Sequence, residues 1–267
     1  MRNTPHPTLI LTLTITLFMA CSQPLSSQEP VKILFIGSSY FNYNNLPEIF
    51  FQLSKQDGKK VYIDQHMPSG LFLSDHAKNS VTRAKIISKA WDYVVLQRVG
   101  VVMAYPDSIS EHPFQQAMKS LMKYIERNNP NSRTIYCLPW AFEDGMLWKA
   151  GWTDGYEEMQ GKIIRNTMVY SEQMGFIIAP VGVAWSIVLK EKAYPVHYLH
   201  FTDWNHPTIK GSYLMACVLY SSIFQKSSIS NSYTAGLDLE EAHYFRKIGS
   251  TVVLDSLHLW NMPSIPE

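Results

Sequence analysis

The sequence predicts an α/β protein: a parallel sheet of about five strands with helices on both faces. Short apolar runs rich in Val and Ile begin at 31, 60, 91, 132 and 175: VKILFIG, KVYID, WDYVVLQ, SRTIYCLPW and GFIIAPVG. Such runs are continuous rather than alternating, as strands buried on both faces require. Between them lie stretches with apolar residues at helical spacing, which is the βαβ pattern of a parallel sheet.

Each helix follows from its own spacing. NLPEIFFQLSKQ (45–56) places apolar residues at 46, 49, 50 and 53, with Pro47 suited to a first turn. SDHAKNSVTRAKIISKA (74–90) reads as one helix. EHPFQQAMKSLMKYIERN (111–128) is amphipathic, with 114, 118, 121, 122 and 125 on one side. A helical stretch over 155–174 and a short helix around 183–190 follow. In FTDWNHPTIKGSYLMACVLYSSIF (201–224), Pro207 suits a helix start and Ile209, Tyr213, Cys217, Tyr220 and Phe224 form an apolar stripe. With no repeat, low-complexity tract or linker, one domain over 31–260 is expected.

Composition narrows the partners. The chain has 267 residues, 46% hydrophobic and 17% charged, enough apolar material for one sizeable core. A formal net charge of +1 argues against a nucleic-acid surface.

The first residues read as a targeting segment. Arg2 precedes an apolar stretch, TLILTLTITLFMA (8–20), that ends at Cys21. Thirteen helical residues span about 20 Å, short of a bilayer core of about 30 Å. A positive start, a short apolar region and a small residue make a secretory signal over 1–20. Cys21 directly after Ala20 resembles the lipobox of bacterial lipoproteins, which implies export, lipidation of Cys21 and a lipid anchor as the sole membrane contact. SQPLSSQEP (22–30) then reads as a flexible tether. The remaining cysteines, Cys137 in a strand-like run and Cys217 in a helix-like run, are expected as buried thiols.

In open parallel sheets, ligands bind outside the carboxyl ends of the strands. The places to look are therefore just after 37, 64, 97 and 138, which puts Gly37-Ser38-Ser39 at the site edge. A serine nucleophile needs a base, a group to orient that base, and donors for the oxyanion. Of the nine histidines, His206 stands out, because Asp203 lies three residues before it on the loop feeding a buried helix. One turn can then present a carboxylate beside an imidazole.

A Gly-x-Ser after the first strand and Asp-x-x-His-Pro before the last long helix together resemble the SGNH (GDSL-like) hydrolase superfamily. The resemblance runs from about 31 to 225. It implies a three-layer α/β/α, flavodoxin-like fold and hydrolysis of esters, often acetyl or acyl groups on sugars and lipids, without a metal or organic cofactor. Aligned residue by residue, Gly37 takes the glycine, Ser38 the usual Asp or Asn position, and Ser39 the nucleophile. Asp203 and His206 match the Asp and His of the last block. YFNYNNLP after Ser39 resembles a branch in which Gly-Asn-Ser-Tyr-Thr leads into an Asn-rich segment. The resemblance further implies an oxyanion hole from the backbone N–H groups of Ser39 and Gly70 and the carboxamide of Gln97, which stands where the family usually has Asn. Serine at 38 offers weaker side-chain support for the turn than Asp or Asn.

Other readings remain at this point. His197, His200, Asp203 and His206 recur at three-residue intervals and are all Zn²⁺ ligand types, so a metal-dependent hydrolase is one alternative. A non-catalytic glycan-binding lipoprotein on the same fold is another. CLPWAFEDGMLWKAGWTDGYEEM (137–159) holds Trp140, Trp148 and Trp152 after the fourth strand; they either stack on sugar rings at the mouth of the site or only seat the loop on the body. The implied partner is a small-molecule or glycan ester.

Overall fold

The computed structural model describes the first residue and residues 29–104, 113–147, 151, 154–192 and 196–263. Five parallel strands form one sheet in the order β2-β1-β3-β4-β5. They are β1 (Val31–Ile36), β2 (Val61–His66), β3 (Tyr93–Gln97), β4 (Arg133–Cys137) and β5 (Ile177–Ala179). Pairing runs Val31 with Val61, Ile33 with Tyr93, Tyr93 with Arg133 and Ile135 with Ile177. The continuous apolar runs of β1, β3 and β4 are explained by place: they are the inner strands, and their last four residues are all buried. β2 lies at an edge, so exposed residues interrupt its sequence.

The helices are α1 (Ser39–Asn42), α2 (Leu46–Gln56), α3 (Leu73–Lys78), α4 (Ser80–Ile87), α5 (Val101–Ala104), α6 (Pro113–Asn128), α7 (Tyr156–Met174), α8 (Val181–Lys192), α9 (Ile209–Phe224) and α10 (Leu239–Leu254). A 3₁₀ turn follows at Leu257–Trp260. The chain moves from β1 to one edge and then back across to the other. Right-handed crossovers therefore put α2 on one face and α4, α6 and α7 on the opposite one. α2, α8 and α10 all pack on α9, while α3 and α4 pack on α6. That is the expected three-layer α/β/α arrangement with five strands.

Two of the longer elements differ from the sequence reading. The helix expected over 74–90 is two helices, because Asn79 leaves the helical region and its Oδ1 accepts the N–H groups of Val81 (2.8 Å) and Thr82 (3.0 Å). Asn79 thus ends one helix and caps the next. α10 was not expected at all, and it packs on α9.

Residues 211–223 of α9 are all buried, so this helix is the central post of its layer. Cys137 and Cys217 are buried free thiols, and burial pushes the Cys217 thiol up to about 12. The expected signal peptide beyond its first residue, Cys21 and most of the expected tether lie outside the described residues.

Candidate active site

The first half of the site is built at the end of β1. Ile36 leads into Gly37, where an added Cβ would lie 2.8 Å from Phe41 Cδ2 and 2.9 Å from Gln97 Oε1. Only glycine lets the chain turn this closely under Gln97. Ser38 then caps α1, its carbonyl accepting the N–H groups of Phe41 (3.0 Å) and Asn42 (3.2 Å). Ser39 is the first residue of that helix. The turn is gripped from both sides. Ser38 donates its N–H (3.0 Å) and its hydroxyl (3.2 Å) to Gln97 Oε1, while buried His76 donates from Nε2 to the Gly37 carbonyl (2.9 Å). His76 Nδ1 accepts from Thr82 Oγ1 (2.8 Å). Burial lowers the His76 pKa, with the Gly37 bond opposing it, so the ring grips the turn as a neutral donor.

The second half is a hairpin between α8 and α9. His200 pairs with Pro207 in an antiparallel bridge, Phe201 N–H reaches the His206 carbonyl (2.6 Å), and Thr208 N–H reaches that of Leu199 (2.8 Å). At its tip, Asp203 Oδ1 accepts the N–H groups of Asn205 (3.1 Å) and His206 (2.9 Å). The carboxylate shapes the very loop that carries its histidine.

A stacked column seats this hairpin on the body. Trp185 lies against Trp140 (4.1 Å, 3°), and Trp140 against Tyr40 (4.4 Å, 13°). Trp140 Nε1 donates to the Asn205 carbonyl (2.9 Å), and the Tyr40 hydroxyl donates to Asn205 Oδ1. At the base, an added Cβ on Gly211 would lie 2.3 Å from Trp185, so glycine lets α9 start against the column. Asn44 closes the seam, its Nδ2 reaching the Pro207 carbonyl (2.8 Å) and Ser212 Oγ (2.9 Å).

These pieces bring three side chains into line. His206 Nδ1 donates to Asp203 Oδ2 at 2.5 Å, and His206 Nε2 lies 2.8 Å from Ser39 Oγ. Because a carboxylate only accepts, the proton sits on Nδ1 and Nε2 is free to accept from the serine. The Tyr43 ring lies nearly parallel to the imidazole (4.7 Å, 17°), and Tyr40 meets its edge (5.6 Å, 77°). Burial raises the Asp203 carboxyl, but hydrogen bonds from His206 and Asn205 outweigh it and hold the group below the usual carboxylate range. Burial likewise keeps Tyr40 a protonated donor. Such an arrangement can pass a serine proton to imidazole and hold the resulting imidazolium against a carboxylate.

The remaining expected residues are placed less uniformly. Gln97 ends β3 and is buried; its Oε1 serves Ser38, while its Nε2 is buried without a partner. Gly70 is exposed in the turn after β2 with φ +82°, and no hydrogen bond joins it to Ser39 or Gln97. Trp140 is a correction: it is fully buried inside the column and has no face for a sugar. Trp148 and Trp152 lie outside the described residues.

The four-residue metal cluster is also corrected. Both His206 nitrogens are engaged, by Asp203 and Ser39. His200 turns inward and donates from Nε2 to the Ala141 carbonyl (2.9 Å), and His197 Nδ1 pairs with Glu143 Oε2 (2.7 Å). The hairpin points alternate residues in different directions, so the three-residue spacing does not converge. Among the described residues no group of three ligand types is arranged to hold a metal ion.

Several site residues escaped the sequence reading. His76, Tyr40 and Trp185 carry no local motif, since the Gly37 carbonyl, Asn205 and Trp140 that they touch lie far along the chain. Arg98 follows Gln97 and rests over the Phe72 ring (3.8 Å); burial lowers its guanidinium to about 10.

No protein-family model matches the chain, and no curated protein matches it. Solved structures do. The chain is similar to a DUF4886 family protein from Bacteroides uniformis at 16% identity and TM-score 0.68, covering 85% of this chain and 95% of that one. It is similar to a protein assigned as an SGNH hydrolase from Slackia heliotrinireducens at 22% identity and TM-score 0.58, covering 73% and 100%. A catalytic mutant of an acetylxylan esterase from Geobacillus stearothermophilus is similar at 14% identity and TM-score 0.53, covering 78% and 95%. What is shared at these identities is the fold: this chain has the α/β fold of the SGNH hydrolases.

Proposed function

We propose that the protein is a serine esterase that hydrolyses an acyl ester through an acyl-serine intermediate. The observation that carries this is the line Ser39 Oγ–His206 Nε2 at 2.8 Å and His206 Nδ1–Asp203 Oδ2 at 2.5 Å, on a fold used by ester hydrolases. In this reading Ser39 Oγ attacks the ester carbonyl as His206 takes its proton. The tetrahedral intermediate collapses, and His206 returns the proton to the departing alcohol. Water, deprotonated by the same histidine, then cleaves the acyl-serine to release the acid. Asp203 holds the tautomer and offsets the imidazolium charge. The Ser39 and Gly70 N–H groups and the unpaired Gln97 Nε2 are assigned to the oxyanion; an amide donor with no internal partner suits that role.

The finer parts of the reading are an acetyl group as the acyl and a carbohydrate as the alcohol, in a lipoprotein anchored to the bacterial envelope through Cys21. The acetylxylan esterase among the similar structures supports the first two, and the lipobox-like start supports the third.

The test is labelling with a fluorophosphonate probe. The wild-type protein and Ser38→Ala should label, and Ser39→Ala should not. Labelling that survives Ser39→Ala would overturn the nucleophile. An unlabelled wild type would favour a glycan-binding module instead. Incorporation of radiolabelled palmitate, lost in Cys21→Ala, tests the anchor.

A further inference from the structure

We infer that Trp204, Asp144 and Phe142 form a sugar subsite beside the Ser39–His206–Asp203 line; this rests on the esterase reading and names its substrate class. The three residues line a cleft of about 360 Å³ whose remaining wall is Asp203 and Asn205. Asp203 is the carboxylate bonded to His206, so the cleft and the reacting line share a side chain.

Trp204 is presented to solvent by construction. It is 42% exposed, and its φ of +65° is a left-handed conformation that a bulky residue adopts only at a strain. The surrounding loop enforces that conformation. Trp204 N–H donates to the Phe201 carbonyl and its carbonyl accepts from Glu143 N–H, both at 2.9 Å. His197 meets the indole edge-on (4.8 Å, 78°) and is itself clamped by Glu143 through its N–H (2.6 Å) and Nδ1 (2.7 Å). Two unfavourable features, a strained backbone and an exposed indole, coincide at one residue on the rim of a cleft.

Asp144 supplies an independent observation. Its side chain lines the cleft and the residue is only half-buried, while its Oδ1 is enclosed without a hydrogen-bond partner, so a carboxylate short of donors stands at the cleft wall. A hydroxyl-rich ring suits both features: its C–H face lies on the indole while one hydroxyl donates to the part of the Asp144 carboxylate that lines the cleft. Two carboxylates lining the cleft disfavour an anionic ligand, and a long acyl chain would leave Asp144 unanswered. The ligand class is therefore a neutral pyranose.

The deciding experiment uses the full-length Ser39→Ala protein, titrated with unacylated xylotetraose, cellotetraose and chitotetraose and read by calorimetry and indole N–H NMR shifts. At least one should bind. Adding Trp204→Ala should weaken it by about tenfold, as should Asp144→Asn, while Trp204→Phe should restore most of the loss. In the active protein, Trp204→Ala should lower the ratio of kcat/KM on acetylated xylotetraose to that on p-nitrophenyl acetate by about tenfold. No binding by any of the three sugars, binding indifferent to both substitutions, or equal losses on both esters would overturn the subsite. Failure of Ser39→Ala to abolish hydrolysis would instead overturn the esterase reading, and the titrations would still report on the cleft.

Discussion

Two histidines six residues apart on one hairpin, His200 and His206, meet carboxylates in very different ways. His206 keeps a partly exposed ring, gives one nitrogen to Asp203 and leaves the other facing a serine hydroxyl. His200 is fully buried, donates to the Ala141 carbonyl and has its Nδ1 4.0 Å from Glu143 with no hydrogen-bond partner. Burial pulls its pKa down to about 4, with the Ala141 bond opposing. The same side chain thus faces a serine hydroxyl in one place and is a neutral strut in the other. What separates them is the group facing the second nitrogen, not the presence of an acid nearby.

Exchanging each ring for an amide should break the comparison most sharply. His206→Asn is expected to lower kcat on an aryl acetate by about 10⁴-fold with the melting temperature nearly unchanged, because its loss leaves the oxyanion donors but no base. His200→Asn should do the reverse, costing about 1–3 kcal/mol of stability in urea unfolding while folded molecules keep their turnover. A large loss of turnover per folded molecule in His200→Asn would mean that the two histidines act together.

The acid side sharpens the same contrast. Between about 6.5, the ordinary histidine value, and about 4, the value in the fold, the unfolded chain binds a proton that folded His200 does not. Stability should therefore fall as pH falls through that window, and His200→Asn should flatten the slope. His66 and His76, also lowered by burial, act in the same direction. Asp203 works in a lower range. Its depressed carboxyl contributes stability that is present above the ordinary carboxylate pKa and lost as pH falls through the folded value. Melting temperatures from pH 7.5 to 4 would check the histidine slope, and carrying them down to about pH 2 would reach the Asp203 range.

Smaller effects belong to the turn that serves His206. Gly37→Ala drives a methyl into Phe41 and Gln97 and should cost about 1–3 kcal/mol, together with part of the activity. Ser38→Ala removes one of two bonds to Gln97 and should cost about 0.5–1.5 kcal/mol, measured by urea unfolding, with labelling of Ser39 retained.

Much of this was legible in the sequence because it is written locally. The inner strands are continuous apolar runs, and Gly37-Ser38-Ser39 and Asp203-His206 each sit within one turn. Asn79 was missed: 74–90 reads as one helix, although Asn is a favoured residue for capping a helix start. Trp140 was not legible either. A tryptophan after a strand end reads the same whether it faces solvent or a column, and its neighbours Tyr40 and Trp185 are 100 and 45 positions away. Trp204 was hidden for a different reason: it lies inside the Asp-x-x-His spacing, where attention goes to the ends.

The hydroxyl of Ser39 and its partner on His206 are 167 positions apart, and the contact between them has a consequence in time. A chain made at about 5–20 residues per second carries Ser39 for many seconds before His206 exists. Ser39 and His206 meet only once segments near 40, 140, 185 and 205 have stacked together. An incomplete or misfolded copy therefore carries an ordinary, unreactive serine. Covalent labelling of Ser39 would then count correctly assembled molecules, a direct titration of folding yield in a crude cell extract.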